Sequence, residues 1–226
     1  DEHGLTREGM DAFAIESLTR AQRAIDDGLN QKEIAPVTIR TRRGEHTVSV
    51  DEQPHKANLE KIPQLRPAFA ENGTITPANS SSISDGASAL LLASEAAVEA
   101  HGLTARARIV AHSRNSLAPE AFTLAPIGAA EDVLAKAGWT VADVDLWEIN
   151  EAFAMVTMLT MDALKLDPAC VNVHGGACAQ GHPIGSTGSR IIVTLMHALE
   201  HYGKKRGVAA LCIGGGEATA VAIELV

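Results

Sequence analysis

A one-sided register first appears at Met10, Phe13, Ala14, Ser17, Leu18, Ala21, Ala24 and Ile25. Their three- and four-residue spacing predicts a one-sided helix, with Thr6 as its N-cap and Gly28 as its stop. Two short β-type runs follow, at 34–39 and 46–50, and the polar stretch Thr41-Arg42-Arg43-Gly44-Glu45 between them predicts a hairpin. The next segment, 51–79, contains Pro54, Pro63, Pro67 and Pro77 and shows little periodicity, which predicts a long loop region. Long loops inside compact domains are usually functional.

From Ser84 onward, apolar strands alternate with amphipathic helices. The pattern predicts a helix over about 85–100 and a strand over 107–111. Pro126 suits the first turn of a helix that closes at Gly138. A strand over 144–149 and a helix over 151–166 come next, with Asp167-Pro168 as a stop. Then follow a strand over 170–173, a helix over 185–202 capped by Gly203, and strands over 207–213 and 218–225. This order implies an α/β fold in which helices cover a sheet.

Composition agrees. Of 226 residues 46% are hydrophobic and 21% charged, which excludes disorder, and an aromatic fraction of 3% requires a core built mainly of Ala, Val, Ile and Leu. The net charge of −9 argues against binding nucleic acid, whose affinity comes from clustered cations. Arg40, Arg42 and Arg43 read more simply as a solvated hairpin tip. Three cysteines, Cys170, Cys178 and Cys212, are too few and too odd in number for a disulfide scaffold and suggest a reducing compartment. No apolar run approaches the roughly 18–20 residues of a membrane span.

Three stretches carry chemistry. In Asn172–Ser189, NVHGGACAQGHPIGSTGS, a strand runs into a Gly-rich loop and a helix, an arrangement that aims N–H groups at an anion or a polarised carbonyl. Neither G-x-G-x-x-G nor the Walker pattern is present. Gly181 and Pro183 flank His182 and keep its imidazole off a helix face. In the second stretch, Cys212-Ile213-Gly214-Gly215-Gly216, nothing bulky follows the thiol, so a substrate can approach both sulfur and backbone N–H. In the third, Asn150 ends a strand, where it is either a helix N-cap or a carboxamide placed to orient a water or carbonyl. Cys170, His174, Cys178 and His182 recur every four residues, but the intervening glycines prevent one helix from aligning them as metal ligands. No G-x-S-x-G elbow is present.

The blocks Asn150-Glu151-Ala152-Phe153, Gly181-His182-Pro183-Ile184-Gly185 and Cys212-Ile213-Gly214-Gly215-Gly216, in this order and spacing, resemble the carboxyl-terminal signatures of the thiolases. Upstream, Arg66-Pro67-Ala68-Phe69 and the segment from Thr76 to Ala87 are similar to that family's CoA-contacting loop, so the resemblance covers essentially the whole chain. It implies a layered αβαβα fold. Residues 1–83 would be the remainder of a CoA-binding loop domain, 84–104 a returning helix of an N-terminal domain, and 105–226 a complete C-terminal domain.

By resemblance, the activity is reversible Claisen condensation and thiolysis of a 3-ketoacyl-CoA, which needs a nucleophile, a base for the α-carbon and oxyanion holes. Cys212 would be the acid/base, its reference pKa of about 8.5 allowing proton traffic in both directions. His182 would activate the nucleophilic cysteine and donate to the thioester oxygen. Asn150, through a water, would complete that oxyanion hole, and the Gly214 N–H would contribute to a second. Coenzyme A would be a substrate, with no permanently bound cofactor and no metal. Ser81 would lie near the pantetheine amide, with Phe69, Ile83, Ala152 and Phe153 alongside. Phe122 falls where the family covers its acyl pocket, and a ring there favours a short chain such as acetoacetyl-CoA.

One departure stands out. Thiolases carry an acylated Cys and a CoA-contacting His in an amino-terminal half, and neither has a counterpart here. The expectation is a chain inactive alone, completed by a further segment or subunit, self-associating as a dimer or tetramer, and cytoplasmic or in a mitochondrial or peroxisomal matrix. The alternative is a non-catalytic thiolase-like module that binds CoA or acyl chains.

Overall fold

The computed structural model describes residues 3–226. Helix α1 (Arg7–Asp26) opens where predicted, the Thr6 hydroxyl accepting from the Gly9 N–H at 3.1 Å. Its buried side includes Met10, Ala14, Ser17, Leu18, Ala21 and Ala24 from the predicted stripe, together with Asp11. Strands β1 (Val37–Thr41) and β2 (Gly44–Val48) form the expected antiparallel hairpin, exposed along its length. The proline-rich segment contains only a one-turn helix α2 (Gln53–Lys56) and a 3₁₀ turn, Leu59–Gln64.

The main sheet is built from β3 (Ala107–Ser116), β4 (Leu146–Ile149), β5 (Arg206–Ile213) and β6 (Glu217–Leu225), in the order β3-β6-β5-β4. Only β4 and β5 run parallel; the other pairs are antiparallel. Period-two alternation decides which residues face which helix. Trp147, Ile149, Val208 and Ala210 pack with helices α4 (Ala125–Ala137) and α5 (Ala154–Leu164), whereas Leu146 and Ala209 pack under α7 (Thr187–His201) with Ile191, Leu195 and Leu199. Ala210, Ala218, Ala220 and Ala222 present only methyl groups to the α4 side, so the helix sits close and the core closes with few aromatic rings. Gly138 ends α4 at φ 68° and Gly203 follows α7 at φ 62°, the left-handed stops their positions require.

Strand β1 starts three residues later than expected and β3 runs on five residues past its expected end, to Ser116; four further differences have a visible cause. The helix predicted over 85–100 is only α3 (Glu95–His101), started by Ser94, whose hydroxyl accepts from the Ala97 N–H. The stretch before it is held extended by tertiary contacts. The Ser88 hydroxyl lies 2.7 Å from Ser186 Oγ and 2.6 Å from Ser189 Oγ, and Leu91 and Leu92 are exposed. Helix α5 begins at Ala154, three residues late, with Phe153 as its N-cap, so Asn150 caps nothing. Strand β4 begins at Leu146 because Thr140 and Asp143 form a capping box on a 3₁₀ turn just upstream. The expected strand over 170–173 is a 3₁₀ turn (Pro168–Cys170) and one bridge, Trp147 to Val171, cut short because Asn172 takes φ 47°.

Candidate active site

The carboxyl ends of the parallel strands β4 and β5 carry two of the predicted groups. The Asn150 N–H donates to the Ala210 carbonyl at 2.9 Å, so Asn150 lies beside the end of β5, across a strand spacing of about 4.8 Å. Cys212 is two residues further along and pairs with Ala218 of β6. Asn150 is buried, yet neither its Oδ1 nor its Nδ2 has a protein partner. A buried carboxamide with both ends free is costly unless a ligand satisfies it.

His182 is tied to the block that follows Asn150 by another route. Residues 80–83 run extended between two of the blocks. The Ser81 N–H and hydroxyl both donate to the Ala152 carbonyl at 3.0 Å, Ser80 bridges Phe153, the His182 N–H donates to the Ser82 carbonyl at 2.9 Å, and Ile83 bridges His182. The 150–153 block and the 181–185 block are therefore fastened to opposite ends of one four-residue segment. Gly181 is required there, since its φ is 85° and a Cβ would strike the Ser84 hydroxyl.

His182 Nδ1 lies 2.7 Å from Thr187 Oγ1, and that hydroxyl is 3.0 Å from the Pro183 carbonyl. With the hydroxyl donating to the carbonyl, Nδ1 carries the ring proton and Nε2 keeps a free lone pair. Burial, then the field of Arg190, lowers the His182 pKa, so the ring is neutral at neutral pH. A neutral imidazole with an unprotonated Nε2 can take a proton from a thiol.

The cysteines differ sharply. Burial pushes Cys212 up to about 11, well above the reference value that suggested easy proton traffic, so it rests as a thiol and a proton donor. Beyond it Ile213, Gly214 and Gly215 are exposed, and a Cβ on Gly214 would meet nothing within 4 Å, so the backbone there is open to a ligand. Cys178 is raised well above the ordinary range by burial and by Glu151, and its Sγ lies 3.8 Å from the Glu151 carbonyl. Burial and Glu151 both favour its protonated thiol over the thiolate. Cys170 lies elsewhere, lining a surface groove with Arg20, Arg23, Tyr202 and Lys204.

Of the predicted CoA contacts, Ile83 and Phe69 are largely exposed, at 95% and 77%, and the Phe153 ring meets Phe122 edge-on at 6.3 Å. Among the described residues no group of three or more His, Cys, Asp or Glu side chains could hold a metal ion, and no helix is long and apolar enough to cross a membrane.

The fold that carries these blocks is matched in known proteins. Residues 1–96 match the family model of the thiolase N-terminal domain and residues 103–225 that of the thiolase C-terminal domain. The chain belongs to the thiolase family. It is 48% identical over 223 residues to the acetyl-CoA acetyltransferase of Yarrowia lipolytica, covering 99% of this chain and 56% of that one. It is 42% identical to the mitochondrial 3-ketoacyl-CoA thiolase of Bos taurus over 98% of this chain and 56% of the relative. Its thiolase-like α/β fold superposes on the acetyl-CoA acetyltransferase of Bacillus anthracis with a TM-score of 0.96 at 41% identity, covering 100% of this chain and 57% of that one. A thiolase of Ascaris suum in complex with coenzyme A gives a TM-score of 0.88 at 38% identity, with 100% and 57% covered. The chain thus spans a little over half the length of the relatives it matches.

Reasoning from sequence overlooked several charged groups around these blocks. Glu151, the second residue of its own block, is fully buried and accepts from Ser17, Asn172 and the Cys178 N–H. Glu148 is also buried, its Oε1 unpartnered, and burial pushes it up to about 8. Arg190 of α7 is the cation whose field reaches Glu148, Glu151 and His182. A carboxylate between a buried strand and a buried helix was the one available signal; Arg190 had none, since it stands on an ordinary amphipathic helix.

Proposed function

We propose that this chain supplies the acid/base and oxyanion half of an acyl-CoA C-acyltransferase that condenses acyl-CoA units or thiolyses a 3-ketoacyl-CoA. The observation that carries this reading is the buried, unpartnered Asn150 amide, set at the strand end beside Cys212 and stapled through residues 80–83 to neutral His182. The Ascaris thiolase complex with coenzyme A and the names of the relatives support acyl-CoA as the substrate.

In thiolysis, an acylatable thiol attacks the 3-keto carbon after giving its proton to His182 Nε2. The acetyl-CoA enolate that leaves takes a proton from the Cys212 thiol, which its high pKa keeps available. Asn150, through a water, and His182 stabilise the thioester oxygen of that enolate, and the Gly214 N–H faces the acyl-enzyme carbonyl. The Cys212 thiolate left behind then takes the proton of an incoming CoA thiol, whose sulfur attacks the acyl-enzyme and releases acyl-CoA, the departing enzyme thiolate recovering its proton from His182. In condensation the steps reverse, and Cys212 as thiolate takes the α-proton. Ser81, Ala152, Phe153, Phe69 and Ile83 line the path of the CoA arm. The Phe122–Phe153 pair narrows the acyl end, which supports a short 3-ketoacyl-CoA such as acetoacetyl-CoA.

None of the three cysteines here suits the acylated role. Cys178 is locked beside Glu151, Cys170 lines a separate groove, and Cys212 is committed to proton transfer. The nucleophile is therefore supplied from outside these 226 residues. The test is thiolysis of acetoacetyl-CoA, followed by loss of its absorbance, by this chain alone and by the polypeptide or assembly that includes the acylatable thiol. Turnover is expected only in the second, and Cys212→Ala there should cost on the order of 10²–10⁴-fold in kcat with CoA binding retained. Robust turnover by this chain alone would sink the claim about the nucleophile. CoA binding without turnover by the completed protein would leave a binding module.

A further inference from the structure

Glu151 is 0% exposed, and its carboxylate closes a ring of hydrogen bonds among three separate parts of the chain. From α1, the Ser17 hydroxyl donates to Oε2 at 2.7 Å. From the Gly-rich loop, the Cys178 N–H donates to the same oxygen at 3.0 Å, and the Asn172 Nδ2 donates to Oε1 at 2.8 Å. Ser17 in turn accepts from the Gly176 N–H at 3.0 Å, so the direction of its own proton, toward Glu151, follows. Asn172 cannot turn its amide round, because its Oδ1 accepts from the Ile149 N–H and its Nδ2 also donates to the Ile149 carbonyl, both at 2.8 Å. Burial raises the Glu151 pKa, and each partner presents a donor that lowers it, so the clasp is what favours the ionised carboxylate against burial.

The backbone is shaped to allow it. A Cβ on Gly176 would collide with the Glu151 carboxylate, and one on Gly175, at φ 78°, would lie 2.5 Å from the Ser17 carbonyl. Glu151 immediately follows Asn150, and the Cys178 N–H that it holds lies in α6 (Ala177–Gln180), whose end is Gly181-His182. The same carboxylate is thus next to one group of the proposed oxyanion site and one short helix away from the other.

We propose that Glu151 is a positioning residue whose buried carboxylate, by clasping Ser17, Asn172 and the Cys178 N–H, sets His182 relative to Asn150 and ties that setting to helix α1. The assignment rests on the thiolase reading given above. Glu151 touches no reacting atom and acts only through these neighbours.

Glu151→Gln keeps the shape and removes the charge. Whichever way the new amide turns, its NH₂ faces a fixed donor, the Cys178 N–H on one side or Asn172 Nδ2 on the other. In the catalytically complete protein, kcat for thiolysis of acetoacetyl-CoA should fall on the order of 100-fold, the cost of a misplacement of about 1 Å, with KM changed less than threefold. Ser17→Ala, which removes one arm of the clasp, should lower kcat in the same sense, and the double variant should lose no more than Glu151→Gln alone. In the 226-residue chain, both variants should shift the His182 ring nitrogen signals in the NMR spectrum and speed amide exchange at Gly176 and Cys178. A kcat within threefold of wild type in either variant overturns the assignment, as does a parallel rise in KM that accounts for the loss of efficiency. Where Glu151→Gln fails to fold, Ser17→Ala decides. Absence of turnover in the wild-type completed protein refutes the proposed function instead; the NMR comparison then decides the clasp by itself, and unchanged His182 signals overturn it.

Discussion

Replacing Glu148 by Gln should make the protein more stable, and by an amount that grows with pH. Glu148 sits in the middle of β4, 2% exposed, with Oε1 unpartnered. Burial is the largest cause of its shift from 4.5 to about 8, opposed by Arg190 and reinforced by Glu151 and Glu33. Between those two pH values the native protein keeps a proton that the unfolded chain has released, so this group's contribution to stability declines as pH rises. A full proton of difference is worth about 1.4 kcal/mol per pH unit, so from about pH 5 to pH 7 the loss comes to about 2–3 kcal/mol. The carboxamide of the Glu148→Gln variant does not titrate and escapes it. Urea unfolding of both proteins at a series of pH values, read by the fluorescence of Trp147 and Trp139, measures the difference directly, and all other titrating groups cancel. The variant's advantage should widen by about 2–3 kcal/mol over that range. Two curves that run parallel from pH 5 to pH 7 would show that Glu148 ionises in the fold as freely as in the unfolded chain, and the reasoning would fail.

The Gly-rich loop and the buried thiol give two further tests. Gly176→Ala should destabilise by roughly 1–3 kcal/mol, since the added methyl overlaps the Glu151 carboxylate. Gly175→Ala should cost more, because it adds left-handed strain to a contact with the backbone of α1. Urea midpoints check both, and a neutral Gly175→Ala would contradict the close approach. Alkylation of Cys212 by iodoacetamide, followed by peptide mass spectrometry, should rise about tenfold per pH unit up to a plateau near 11, because only the thiolate reacts. A plateau below pH 9 would show a thiol far more acidic than its burial implies.

Much of the fold was legible because hydrophobic period and caps are local. Thr6, Gly138 and Gly203 mark real helix ends, and the two final strands fall within a residue or so of the expected bounds. The misreadings at 85–93 and 151–153 lie where distant chain overrides local pattern. Residues 85–93 have helix-forming composition but are held extended by Ser88 against Ser186 and Ser189. Residues 151–153 adjoin an apolar helix pattern, but the Ala152 carbonyl accepts from Ser81 and Phe153 bridges Ser80. The site shows the same division. His182, Cys212 and Asn150 stand in stretches whose glycines or strand end advertise them. Ser17 and Arg190 stand on regular helices and matter only through partners more than a hundred residues away or through a long-range field.

The strip from Ser80 to Ile83 has a thermodynamic meaning beyond its geometry. A single extended tetrapeptide is hydrogen-bonded to the segment bearing Asn150 at one end and to His182 at the other. Any molecule resting on Ser81 or Ile83 therefore binds a surface whose order depends on both blocks of the proposed site, and its binding free energy is shared with them. Linkage then works in both directions. Occupancy of the strip restrains the imidazole and the amide, and a ligand gripped by the imidazole and the amide raises affinity for whatever lies along the strip. Substitutions at these four positions should accordingly register in turnover as much as in affinity, although none of them touches a reacting atom.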